Sequence, residues 1–221
     1  MASTPTKVSK TDVEAFRDFS VSLRALWRHH QILFEATDLQ RELMQSIAPT
    51  FFGDLNLLLI EHLILQICKI TDPEESRGRA NLTVAFLINN SDFSGNTAAL
   101  DRLKQLASSM HAFRDQIVPA RNKLIGHIDR HSALAGSSLG AAPAGEWKQF
   151  WLDLQEFLHI LDKHYIDANS AFYLNGVAYL SDAENLVKAL KESSFFGALE
   201  TDKEAAAKCM DVAFNSKFSE V

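Results

Sequence analysis

Only two cysteines occur in 221 residues, Cys68 and Cys209, far apart and outside any Cys-x-x-Cys spacing. Their scarcity excludes a zinc finger and a secreted disulfide framework. Nine glycines and five prolines are too few for a collagenous or low-complexity chain. Long apolar runs are also missing. The greasiest stretch, Leu55 to Ile70, is interrupted by Glu61 and His62 and falls short of the roughly 20 residues of a membrane span, so no membrane association is expected. Met1 to Lys10 is polar and lacks the apolar core of a secretion signal, which makes the cytoplasm the expected compartment. No segment alternates convincingly as a strand, and no period of 20 to 50 residues recurs.

What is present is 47% apolar and 23% charged, a globular balance, with Leu, Ala, Glu and Lys plentiful enough to favour helix. Acidic residues outnumber basic ones, 28 to 22, for a net charge of −6. That sign by itself discourages nucleic-acid binding. Its distribution argues otherwise: residues 102–131 hold Arg102, Lys104, Arg114, Arg121, Lys123 and Arg130 against Asp115 and Asp129, so 6 − 2 = +4 here and −6 − 4 = −10 elsewhere. Such segregation steers a polyanion to one face of an acidic protein.

The chain reads as an all-α antiparallel helical bundle with additional helices at its C-terminus. Thr11-x-x-Glu14, Ser181-x-x-Glu184 and Thr201-x-x-Glu204 fit the capping box and predict helix starts. Helical spacing from Val13 to Phe34 predicts a first helix to about Thr37, followed by a shorter one up to Ala48, with Pro49 and Gly53 as punctuation. Leu55 to Ile70, apolar almost all round, predicts a central helix or part of a subunit interface. Thr71 to Asn81 reads as a charged loop, and 82–89 as a short helix or turn. Ala99, Leu103, Leu106, Met110, Phe113, Ile117, Ala120, Leu124 and His127 form one unbroken stripe, with a kink or restart expected at Pro119. A small-residue loop over 132–145 precedes a last long stripe from Trp147 to Ala168, ending near Gly176. The expected organisation is a disordered 1–10, a bundle over 11–176 and a helical extension over 177–221.

Arg121-Asn122-Lys123-Leu124-Ile125-Gly126-His127 carries the most chemistry. A guanidinium holds a phosphate bidentately and stabilises charge building on phosphorus, while an imidazole with a reference pKa near 6.5 moves a proton at neutral pH. The two suffice for RNA cleavage without a metal or cofactor, the 2′-hydroxyl being the internal nucleophile. Six residues along a straight helix would leave the pair about 120° apart around the axis and about 9 Å along it. Either Gly126 ends the helix so that His127 swings round, or a symmetric dimer supplies one member from each chain.

RNKLIGH, followed by Ile128-Asp129, resembles the Arg-x(4 to 6)-His motif of the HEPN superfamily, named for higher eukaryotes and prokaryotes nucleotide-binding. Ile70-Thr71-Asp72 ahead of Asn81-Leu82-Thr83, together with the long helices, is similar to its AbiU-type abortive-infection branch. Over roughly residues 11–175 the resemblance implies a helical bundle, commonly a homodimer, whose paired motifs cut RNA without metal to leave a 2′,3′-cyclic phosphate. It implies catalytic roles for Arg121 and His127, with Asn122 orienting them. Arg114, Lys123 and Arg130 are the expected RNA-binding residues, and the expected role is a toxin or antiviral effector, with an antitoxin as a possible protein partner.

Two other readings stay open at this level. A non-catalytic helical module would dimerise and bind RNA or a partner protein, with His127 as a hydrogen-bonded core residue and Arg121 in a surface ion pair with Asp115 or Asp129. A metal hydrolase would use His127, Asp129 and His131. Glu156-x-x-His159 lacks the second pair that a di-iron bundle needs, and Gly136-x-Ser138-x-Gly140 has no strand ahead of it to form a nucleophile elbow. Trp147 and Trp151, one turn apart, and His29-His30 and Glu61-His62 are expected to pack or cap.

Overall fold

The computed structural model describes residues 7–76, 78–122, 142–174, 181–201 and 207–208. Among them are seven α-helices and one two-stranded hairpin, so the fold is all-α. The helices are α1 (Lys10–His30), α2 (Asp38–Ile47), α3 (Pro49–Thr71), α4 (Val84–Asn89), α5 (Thr97–Ala120), α6 (Ala144–Tyr165) and α7 (Asp182–Thr201). Their starts follow from local chemistry. Thr37, Thr83 and Asn96 each accept the backbone N–H three residues on, from Gln40, Phe86 and Ala99. α1 starts one turn edge earlier than expected, because the reciprocal box is built on Ser9 and Asp12: Ser9 N–H donates to Asp12 Oδ2 at 2.8 Å, and Asp12 N–H donates to Ser9 Oγ at 3.2 Å.

Several other boundaries differ from the sequence expectation for identifiable reasons. Pro49 opens α3 instead of punctuating a loop, since a first-turn proline has no helical N–H to lose. That makes α3 23 residues long, and by length and composition it is long and apolar enough to cross a membrane. The segment after it is not a simple loop: β1 (Glu75–Ser76) and β2 (Arg79–Ala80) pair antiparallel, with Gly78 at φ 74° in the turn. α5 runs through Pro119 to Ala120. α6 stops at Tyr165, well before Gly176, because Asp167 turns the chain: its carboxylate accepts Asn169 N–H at 2.9 Å and its carbonyl accepts Ser170 N–H at 2.9 Å. α7 follows Ser181 directly and ends on Thr201, while residues 202–206, on which the Thr201-x-x-Glu204 expectation falls, lie outside the described residues.

The chain forms two compact units. The first comprises Met1–Arg24 and Ile60–Val177. Its core takes Val13 and Phe16 from α1, Leu63, Ile67 and Cys68 from α3, Leu103, Leu106, Met110 and Ile117 from α5, and Leu154, Phe157 and Leu161 from α6. Phe113 meets Trp147 and Phe150 at 5.0 Å each, so both tryptophan-bearing turns of α6 are packed as expected. Two buried carboxylates are matched: Asp162, 3% exposed, accepts from Arg17 Nη1 at 2.9 Å, and Asp153 accepts from Ser109 at 2.6 Å and Gln149 at 2.8 Å.

The second unit comprises Ala25–Leu59 and Ala178–Val221. After His30 the chain widens into a π-helical turn, Gln31–Glu35, whose Ile32 and Leu33 pack with Met44, Phe52, Ala183 and Val187. His30 is buried and packed, as expected: its Nε2 lies 2.9 Å from Asn56 Oδ1 and its ring stacks on Trp27 at 5.7 Å. Of the two expectations for Leu55 to Ile70, a buried central helix does not hold for its part in this unit, since Leu57 and Leu58 are 58% and 61% exposed, with Phe51 just ahead at 62%; a subunit interface would involve a second chain.

Candidate functional site

The site is built in the first unit, where the end of α3 meets the second half of α5. α3 closes on Thr71, a buried residue whose hydroxyl donates to the carbonyl of Ile67 at 2.7 Å. Asp72 is therefore presented at a fixed helix end. On α5, Arg114 and Arg121 are seven residues apart and so share a face, about 10 Å from each other along the axis. Both guanidiniums turn to Asp72. Arg114 Nη2 donates to Oδ1 at 2.7 Å, and Arg121 Nη2 stands 3.5 Å from Oδ2. Arg121 Nη1 also donates to the Asn122 side-chain oxygen at 3.0 Å.

Burial grades along this row. Arg114 and Asp72 side chains are 21% and 23% exposed, and Arg121 is 35% exposed. Two guanidiniums against one carboxylate leave a formal +1, in an environment where water screens it only partly. Arg114 also has Asp115 at 3.7 Å, an exposed carboxylate of small weight. The backbone beneath Arg121 is the least regular part of α5. Pro119 has no N–H for the carbonyl of Asp115, Arg121 N–H is shared between Ile117 and Val118 carbonyls, and Arg121 and Asn122 enter a π-helical turn.

Two further groups face the same place. His111, three residues before Arg114 and half-buried, has its pKa lowered from 6.5, first by burial and then by the Arg114 charge, against a hydrogen bond to the Thr71 backbone that raises it. Burial pushes the Cys68 thiol up, against the opposing pull of Arg114 and Arg121. Sequence reasoning singled out neither Asp72 nor His111 as a site residue. The available signals were the Ile70-Thr71-Asp72 string of the family resemblance, which gave Asp72 no role, and the place of His111 one turn before an arginine.

Of the expected catalytic and RNA-binding residues, Arg121 and Asn122 stand side by side and Arg114 joins them through Asp72. His127, Lys123 and Arg130 lie outside the described residues, as do Asp129, His131 and the Gly136-x-Ser138-x-Gly140 string. Among the described residues Arg121 pairs with Asp72 and not with Asp115, while the other expected partner, Asp129, lies outside them. Glu156 is bound by Arg102 through two contacts of 2.6 Å, which lowers its pKa. Among the described residues no group of three or more His, Cys, Asp or Glu is arranged to hold a metal ion.

A family model described as AbiU2, of the HEPN class, matches residues 10–192, which takes in both the Asp72 region and the Arg121 string. No curated protein and no solved structure gives a match.

Proposed function

The chain belongs to the AbiU2 family of HEPN domains, an abortive-infection-associated family, and on that premise we propose that it is a metal-independent endoribonuclease acting through Arg121 and His127. The observation that carries this reading is the state of Arg121: a partly exposed guanidinium at the end of α5, oriented by Asn122 and Asp72, six residues before a histidine. Arg121 binds a non-bridging oxygen of the scissile phosphate and stabilises the charge that grows there. His127, as neutral imidazole, takes the proton of the 2′-hydroxyl as its oxygen attacks phosphorus, and returns a proton to the 5′-oxygen as the P–O5′ bond breaks. The products are a 2′,3′-cyclic phosphate and a 5′-hydroxyl. Lys123 and Arg130 extend the positive surface along the RNA, a homodimer brings two motifs to one cleft, and the protein serves as a toxin or antiviral effector restrained by a partner protein.

Single-stranded RNA incubated with the protein in EDTA is expected to yield fragments ending in 2′,3′-cyclic phosphate. Intact RNA, or cleavage only on adding a divalent ion, contradicts the proposal. One observation favours the non-catalytic alternative, namely that Asp72 already engages both guanidiniums. Under that reading Arg121 is an ion-pair residue, and the same incubation leaves the RNA whole.

A further inference from the structure

Arg121 has reasons to wander. Its side chain carries about 2 kcal/mol of rotamer entropy, and it leaves the helix at a turn where the hydrogen-bond ladder has been opened by Pro119. Asp72 faces it from another helix end, but a carboxylate with a single loose contact at 3.5 Å would not fix anything unless it were itself fixed. Arg114 does that. It sits two turns up α5, in the regular part of the helix, and its 2.7 Å hydrogen bond holds Oδ1, so that Oδ2 is left pointing at Arg121. Arg114 is the less exposed end of this row and Arg121 the more exposed. Arg114, Arg121 and Asp72 by themselves sum to a formal +1, with the exposed Asp115 carboxylate 3.7 Å from Arg114 beside them.

We infer that Asp72, clamped by Arg114, is a positioning residue that presents the Arg121 guanidinium to the scissile phosphate. This rests on the nuclease reading above. It differs from the expected RNA-binding role of Arg114, which here acts through a carboxylate and not on RNA. It also opposes the idea that Asp72 merely blocks the arginine, because a blocking carboxylate would make its shorter contact with Arg121.

The test compares wild type, Asp72→Asn and Asp72→Glu in two measurements on the full chain: steady-state cleavage of a single-stranded RNA oligomer, and the order of the Arg121 Nε–Hε group by 15N relaxation. Asp72→Asn keeps the shape and removes the charge. It is expected to lower kcat by about 10- to 100-fold, to change KM less than about threefold, and to disorder Arg121, while Asp72→Glu recovers most of the rate and the order. Wild-type kcat in Asp72→Asn, faster cleavage, or an Arg121 as ordered as in wild type overturns the inference. Should wild type itself cut no RNA, the nuclease reading fails by that result alone, and the relaxation measurement still decides whether Asp72 orders Arg121. If Asp72→Asn fails to fold, Arg114→Lys, which keeps the charge and loses the fork, is read by the same two measurements with the same expected losses.

Discussion

Arg17 and Asp162 show what a single buried charge requires. With Asp162 almost wholly buried and Arg17 only 26% exposed, Arg17→Ala leaves a carboxylate without its counter-charge and is expected to cost about 3 kcal/mol in denaturant unfolding. Adding Asp162→Leu to Arg17→Met should return most of that loss, since the apolar pair removes the stranded charge. A double variant no more stable than Arg17→Ala contradicts the assignment. His111 gives a pH signature of the same kind. Its pKa is below 6.5 in the folded protein, so the unfolded chain binds the proton more readily. The stability it contributes is present above pH 6.5 and is lost as pH falls through the depressed folded value. His111→Gln should flatten that part of the stability profile, and an unchanged slope would show that His111 is not the group responsible.

At the scale of the element, α5 is where regular structure ends in the service of a side chain. Pro119→Ala supplies the missing N–H to the Asp115 carbonyl and is expected to stabilise the protein by about 1 kcal/mol, read from the denaturant midpoint. A lower midpoint would mean that the opened turn is required for packing. The stripe from Ala99 to Ala120 makes this helix legible in the sequence, because six of the stripe's residues fill the core at helical spacing. The hairpin at 75–80 was not legible, since two-residue strands carry no alternation and Gly78 alone marks the turn. The end of α6 was missed because Ala168 continues the apolar spacing while Asp167 has already turned the chain. At the site, Arg121 and Asn122 stood out because their types match a reaction. Asp72 did not, because a contact between residues 42 and 49 positions apart, Asp72 to Arg114 and to Arg121, leaves no periodic trace.

For the whole molecule, charge is organised at two levels. A net −6 coexists with a +4 segment over residues 102–131, and two guanidiniums of that segment meet one carboxylate, Asp72, just past the end of α3. The apolar residues of α3 divide in the same fashion, those from Leu63 to Ile70 serving the core of the first unit while Phe51, Leu57 and Leu58 remain exposed in the second. The nuclease proposed above would act through Arg121 and His127 on one phosphate, and that pairing is its central claim. The most direct measurement is the rate of single-stranded RNA cleavage in EDTA by His127→Ala beside wild type, with melting temperatures recorded for both. The account predicts cleavage by wild type and a loss of about 100-fold or more in a variant that remains folded. Equal rates in the two proteins would contradict it.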